Sequence, residues 1–271
     1  MRVKIKNFTK KISLFYIILY LLCMLALFLL VIPILWIVFS EKPQTIIEIL
    51  KIEKVQLAIL TTFFTATITS IISIFFGVSL GYIFSRKQFI GKNILITLVD
   101  LPLALPHSVA GIALLSVFGR YGLIGQIFPS EYGTIFTRSI LGIIIAQLFV
   151  SAPILIQGAR ETFNLIDPDF EIFSHILGAS SFTTFRKVVF PQARKSILAS
   201  SILCWARAAS EFGAVVFMAY YPLTAPVIVF DLYNSQGISA AKPVAVFIII
   251  ISTILFALAR VGARIMKKED R

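Results

Sequence analysis

Long apolar runs alternate along this chain with short breaks that are polar and mostly basic. A helix rises 1.5 Å per residue, so about 20 apolar residues cross a hydrocarbon core of about 30 Å. On that measure six spans are predicted, over residues 14–39, 55–85, 94–118, 140–156, 197–219 and 244–260. The first is the most uniform. It is too long for the 7–15-residue apolar core of a signal peptide, and Ser40-Glu41-Lys42-Pro43 follows it without a small-residue cleavage pattern. It is therefore expected to be a retained span.

Composition agrees. Hydrophobic residues make up 58% of the 271 and charged residues 14%, against about 25% charged in ordinary globular chains. A formal charge of +12 on a soluble protein would suggest a nucleic-acid partner. Here the charges lie between the apolar runs, and no nucleic acid is expected. With the N-terminus inside, 18 of the 25 Lys and Arg fall on the inner side. They form four clusters, within 2–11, 86–92, 160–195 and 260–271. Six fall outside (Lys42, Lys51, Lys54, Arg120, Arg138 and Lys242), and Arg207 lies within a span. Inner loops carry the excess of positive charge, so both termini are expected in the cytoplasm. Cys23 and Cys204 both sit in apolar stretches, with no C-x-x-C or His/Cys cluster, so neither a zinc site nor a disulfide framework is expected.

The inner segment 157–196 is unlike a solvated loop. Phe170, Phe173 and Leu177 recur at helical spacing, and so do Phe182, Phe185 and Val189. Asp167 is placed to cap a helix beginning at Pro168, with Asp169 and Glu171 favoured in its first turns by the helix dipole. Gly178 is placed to end it, Ser180 or Ser181 to cap a second helix, and Pro191 to help stop that one. Two readings of this helix–Gly–helix stay open. It is either a pair of amphipathic helices on the membrane surface or a docking element for a soluble partner.

The residues from Glu171 through Gly178-Ala179 to Phe190-Pro191 resemble the EAA loop of ABC-importer permeases, with Phe173 and Ser174 in place of the two alanines. The segments 81–86, 100–115, 118–125 and 207–214 resemble the oxyanion branch of that family, with Ser210 in place of a glycine. The Pro106-His107 pair is most similar to molybdate/tungstate permeases, and sulfate permeases are near relatives. The resemblance covers about 55–260. It implies one transmembrane domain over 1–271, all-α, with about six transmembrane helices in the ABC type I importer-like permease fold. It also implies a cytoplasmic coupling helix at 171–177, and docking to the ATPase through Glu171, Phe173, Ser174, Ile176, Leu177, Gly178, Ala179, Phe182 and Arg186. The implied partners are a second copy of the chain, a cytoplasmic ABC ATPase dimer and an extracytoplasmic oxyanion-binding protein, all acting in the cell membrane.

Ionisable groups within spans are costly, about 2.5–3.5 kcal/mol on insertion scales, unless sheltered. Arg207 and Glu211 stand one helical turn apart and can pair. Asp100 and His107 flank the break expected at Pro102–Pro106, and broken helices are tolerated where they face protein or a watery cavity. Asp100, Pro106, His107, Ser108, Arg207, Glu211 and Phe212 are therefore candidates for the pathway or its gate. A structural ion pair inside the bundle is the alternative. The Thr/Ser run of the second span reads as helix packing. No metal site and no catalytic residue is expected. The chain has no G-x-x-x-x-G-K-[ST] run, so ATP and Mg belong to the partner subunit and this chain binds no cofactor. Sulfate, thiosulfate, ferric ion or phosphate as the solute remain alternatives, as does a secondary transporter or intramembrane enzyme.

Overall fold

The computed structural model describes residues 14–128 and 135–268; the basic N-terminal cluster and Arg271 of the charge count lie outside them. The described residues are helices joined by turns, without a strand. They are α1 (Leu14–Phe39), α2 (Pro43–Leu50), α3 (Glu53–Arg86), α4 (Lys92–Asp100), α5 (His107–Phe118), α6 (Ile140–Leu165), α7 (Asp169–Ile176), α8 (Ser181–Thr184), α9 (Phe190–Ala209), α10 (Gly213–Met218), α11 (Ala225–Gln236) and α12 (Ile238–Lys268).

Four of them, α1, α3, α6 and α12, are single helices long and apolar enough to cross a membrane. The other two expected spans are broken, so the count of six is approximate. Residues 94–118 form no straight helix. α4 runs into a 3-10 turn at Leu101–Leu103, and the chain bends by 114° before α5. Pro102 and Pro106 cause this, since each lacks an N–H and restricts the residue before it. The fifth expected span divides at Ser210–Phe212 into α9 and the short α10. α9 begins at Phe190, seven residues before the expected start, and carries Arg194 and Lys195 in its first turns.

The core is α3 packed along α6, with α9 against both. The helices meet at small residues. A Cβ on Gly77 would run into the Leu155 side chain, and one on Gly81 would fall 2.8 Å from Ala159 Cβ. Such close approach is how membrane helices gain contact where apolar lipid gives no hydrophobic drive. The Thr/Ser run of α3 lies in this seam: Thr62, Thr65, Thr69, Ser70 and Ser73 are all buried. Thr69 donates to the Gln147 side chain of α6 at 3.0 Å, and Ser70 to the Ser201 carbonyl of α9 at 3.1 Å. These bonds knit the bundle, and Ser70 also borders a cavity shared with α9 and α12. α1, by contrast, buries none of its most apolar window and is tied to α12 at one end by Lys242–Glu41, 2.9 Å.

Candidate functional site

Two places bring the singled-out residues together, one at each broken or short segment.

The first is α7. Asp167 Oδ1 accepts from the Asp169 N–H at 3.0 Å and starts the helix. The helix ends in paired backbone bonds, Ala179 N to Ser174 O at 3.1 Å and Gly178 N to His175 O at 2.9 Å, with Gly178 at φ +84°. That is a Schellman ending, which needs a left-handed residue where glycine pays no steric penalty. Ser180 then caps α8 through its oxygen and the Thr183 N–H. Pro191 does not stop that second helix, as the sequence suggested. The chain instead widens into π-type turns over Phe185–Val189 and runs on into α9 with Pro191 in its first turn. The wider turn accommodates the N–H that proline lacks.

The faces of α7 divide the residues of the docking set. Glu171 and Ser174 turn inward. Glu171 Oε1 accepts from Arg86 Nε at 2.6 Å, and Oε2 accepts from the Tyr82 hydroxyl at 2.6 Å. Arg86 also donates to the Ile166 carbonyl at 2.9 Å. Both charged side chains are mostly covered, 14% exposed for Glu171 and 12% for Arg86. Ser174 shares a hydrogen bond with Thr184 of α8 at 2.9 Å. Phe173, Ile176 and Leu177 face outward with Phe182, Leu177 being 87% exposed. Ala179 is half-buried beneath Gly178, and Arg186 is exposed on the widened turn. Glu171 is therefore the fastener of α7 to the end of α3, and the apolar tip is what a partner would meet. The periodicity marked this helix but held no sign of Tyr82 and Arg86, which lie 89 and 85 residues away. Arg86 at the end of a span, beside an inner loop, was the one available signal.

The second place is the meeting of α5 and α10. A Cβ on Gly213 would sit 2.5 Å from His107 Cβ, so the first turns of these helices touch. Arg207 of α9 reaches both. Its Nη2 lies 2.8 Å from Glu211 Oε2 and 2.8 Å from His107 Nε2. A ring nitrogen facing a guanidinium must offer a lone pair, so Nε2 here is the acceptor. Glu211 is 1% exposed, and its Oε1 accepts from the Ala214 N–H at 2.8 Å, capping α10. The carboxylate is thus held by one helix N-terminus through Oε1 and by the charge of Arg207 at Oε2, which makes no hydrogen bond of its own among the described residues. Pro106 and Ser108 are exposed beside His107, and Phe212 packs on Phe230 with ring centroids 5.0 Å apart. Asp100 stands apart: half-buried at the end of α4, it has no hydrogen bond or ion pair to this cluster. Among the described residues no three of His, Cys, Asp and Glu gather as metal ligands would.

Residues 73–268 match the profile of a family described as "Binding-protein-dependent transport system inner membrane component". The chain is 38% identical over 217 residues to the molybdate/tungstate transport system permease protein WtpB of Pyrococcus furiosus, covering 80% of each. It is 33% identical over 236 residues to a probable sulfate transport system permease protein, cysT, of Chlorokybus atmophyticus, covering 84% of this chain and 82% of the other. Its fold resembles a chain of a bacterial ABC transporter involved in the import of the acidic polysaccharide alginate, with a TM-score of 0.72 and 13% identity over 93% of this chain and 95% of that one.

Proposed function

Because this chain belongs to the family of binding-protein-dependent transport system inner membrane components, we propose that it is the membrane-spanning permease of an ABC importer for molybdate or tungstate. The greater identity to a molybdate/tungstate permease than to a sulfate one supports that choice of oxyanion. The observation that carries the importer reading is α7. It is a short helix clipped at Glu171 to the end of a long membrane helix, with its apolar tip left bare. A partner that seizes the tip moves α3 with it.

The chain is a transport subunit and not itself catalytic; ATP hydrolysis is assigned to a cytoplasmic ATPase dimer that holds the tips of two α7 helices. Two copies of the chain enclose the path. The cluster of His107, Arg207 and Glu211 narrows it, and Phe212 flanks that narrowing. An external binding protein delivers the anion. Closure of the ATPase dimer rocks the two bundles and opens the path outward, and the return releases the anion into the cytoplasm. Glu211 offsets the charge of Arg207, so the path holds an anion weakly, as conduction requires. Both termini face the cytoplasm, on the side of α7, and the membrane is the plasma membrane.

The test is ATPase stimulation of the reconstituted permease–ATPase complex by purified binding protein. Stimulation by molybdate- or tungstate-loaded protein is the expected result. Stimulation by a sulfate-loaded protein alone would replace the substrate, and none by any loaded protein would remove the importer reading.

A further inference from the structure

The far end of the molecule carries a separate basic feature. A cup of about 910 Å³ opens between the C-terminal end of α5, the residues that follow it, and Phe217–Tyr221 at the end of α10. Arg120, Arg138, Thr137, Tyr220 and Tyr221 line it, and no carboxylate lines it among the described residues. Both arginines are exposed. Arg120 lies 5.8 Å from the ring centroid of Tyr121, and neither arginine has an acidic partner among the described residues. Arg138 is held at φ +54°, the only described residue other than glycine with positive φ. A side chain other than Asn or Asp rarely adopts that region.

The carboxylate that bonds the cup's Tyr220 is already paired. Asp231 of α11 accepts from the Tyr220 hydroxyl at 2.9 Å and pairs with Lys54 at 2.8 Å. That chain of contacts also fixes the side of the membrane. Lys54 is at the start of α3 and Arg86, which holds the coupling helix, is at its end. The 32 helical steps from one to the other span about 48 Å at 1.5 Å each. The cup is therefore on the face opposite α7. The twelve residues of α5, about 18 Å long, begin at His107 of the Arg207 cluster and end beside the cup.

We propose that the cup is the outer capture site for the tetrahedral oxyanion, where Arg120 and Arg138 take it from the binding protein before it reaches Arg207. The inference rests on the permease reading above. Two guanidinium groups match the oxygens of an oxyanion with forked donors, and Thr137 and Tyr221 add hydroxyl donors. The cup is far larger than one such anion, so the anion enters hydrated. The site concentrates the ion without trapping it, and its effect is on capture rate rather than on tight binding.

The experiment uses the full complex in proteoliposomes and measures ATP-driven molybdate uptake at limiting molybdate-loaded binding protein. Arg120→Gln and Arg138→Asn are compared singly and together with wild type, at equal amounts of assembled transporter. Asn tolerates the backbone at 138, so that change removes the charge without new strain. Each single change is expected to slow uptake about five-fold and the pair more than ten-fold, within the range of steering effects, and the pair should flatten the fall of rate with added salt. Binding-protein docking, measured by co-sedimentation with the complex, should be unchanged. A double variant with wild-type rate and salt dependence overturns the proposal. So does a docking affinity that falls in step with uptake, because the arginines would then hold the protein rather than the ion. Absence of molybdate uptake by the wild-type complex would count against the permease reading instead, and is read separately from the variants.

Discussion

Arg86 and Glu171, 85 residues apart in the chain, meet at 2.6 Å and fasten the coupling helix to the end of α3. Both are largely covered, and Tyr82 holds the second oxygen of Glu171. Removing either charge leaves the other stranded. Arg86→Ala should free α7 and cost about 3 kcal/mol locally. Glu171→Gln, which can still accept from Tyr82, should cost less. The measurement is ATPase stimulation by loaded binding protein, with permease assembly followed in parallel. Loss of stimulation with Arg86→Ala and partial retention with Glu171→Gln is the expected order; full stimulation in Arg86→Ala would dismiss the fastening role.

Arg207 and Glu211 form the second pair, with Glu211 almost wholly buried. Arg207→Ala strands a buried carboxylate and should lower stability by about 3–5 kcal/mol. Glu211→Gln keeps an oxygen for the Ala214 N–H and should cost less. The double variant should be more stable than Arg207→Ala alone, because the stranded charge is gone. Thermal denaturation of the purified protein gives the order. Simple addition of the two losses would mean that the pair does not act as one.

At the α3–α6 seam, Gly81 has no room for a side chain: an added Cβ would sit 2.8 Å from Ala159 Cβ and 2.9 Å from Arg160 N. Gly81→Ala should force the helices apart at a cost of about 1–3 kcal/mol, and Gly81→Val more. Folding yield in membranes and the midpoint of thermal denaturation report this. A Gly81→Val protein as stable as wild type would show that the helices do not meet here as described.

The outer strap of Lys54, Asp231 and Tyr220 gives a pH dependence. The hydrogen bond from Lys54 holds the Asp231 carboxyl below its ordinary 3.8, outweighing its partial burial. Burial, then the bond to Asp231, pushes the Tyr220 hydroxyl up to about 12, so it stays a donor. A carboxyl whose value is lowered by folding stabilises the fold above 3.8 and loses that contribution as pH falls through the folded value. Protection of α11 amides, corrected for intrinsic exchange, should be level from about pH 5 to 8 and fall only below 3.8. Asp231→Asn should remove that acid-sensitive part. A loss of protection centred near neutral pH would contradict it.

The sequence disclosed these features unevenly, for physical reasons. The first span is found at 14–39 as read, because nothing interrupts its apolar run. The break at Pro102–Pro106 was legible in the two prolines, but its 114° was not, since the angle depends on what α5 packs against. The division between α9 and α10 had no proline to announce it. It follows from Glu211 turning back to cap α10. α11 was missed because twelve half-polar residues beginning Ala225-Pro226 have neither the length nor the contrast of a span. Arg207 and Glu211 were visible as an i,i+4 pair, whereas His107 joins them only because Gly213 lets α5 touch α10. Local spacing carries what one helix does alone. Contacts such as Arg86–Glu171 belong to the packing of two helices.

Driven import is read out by counting molybdenum or tungsten inside vesicles that contain the permease with its ATPase, supplied with the loaded binding protein. Accumulation that requires ATP, the ATPase and the binding protein together is the predicted result. Equal entry without ATP, or uptake of sulfate with no molybdate or tungstate carried, would contradict it.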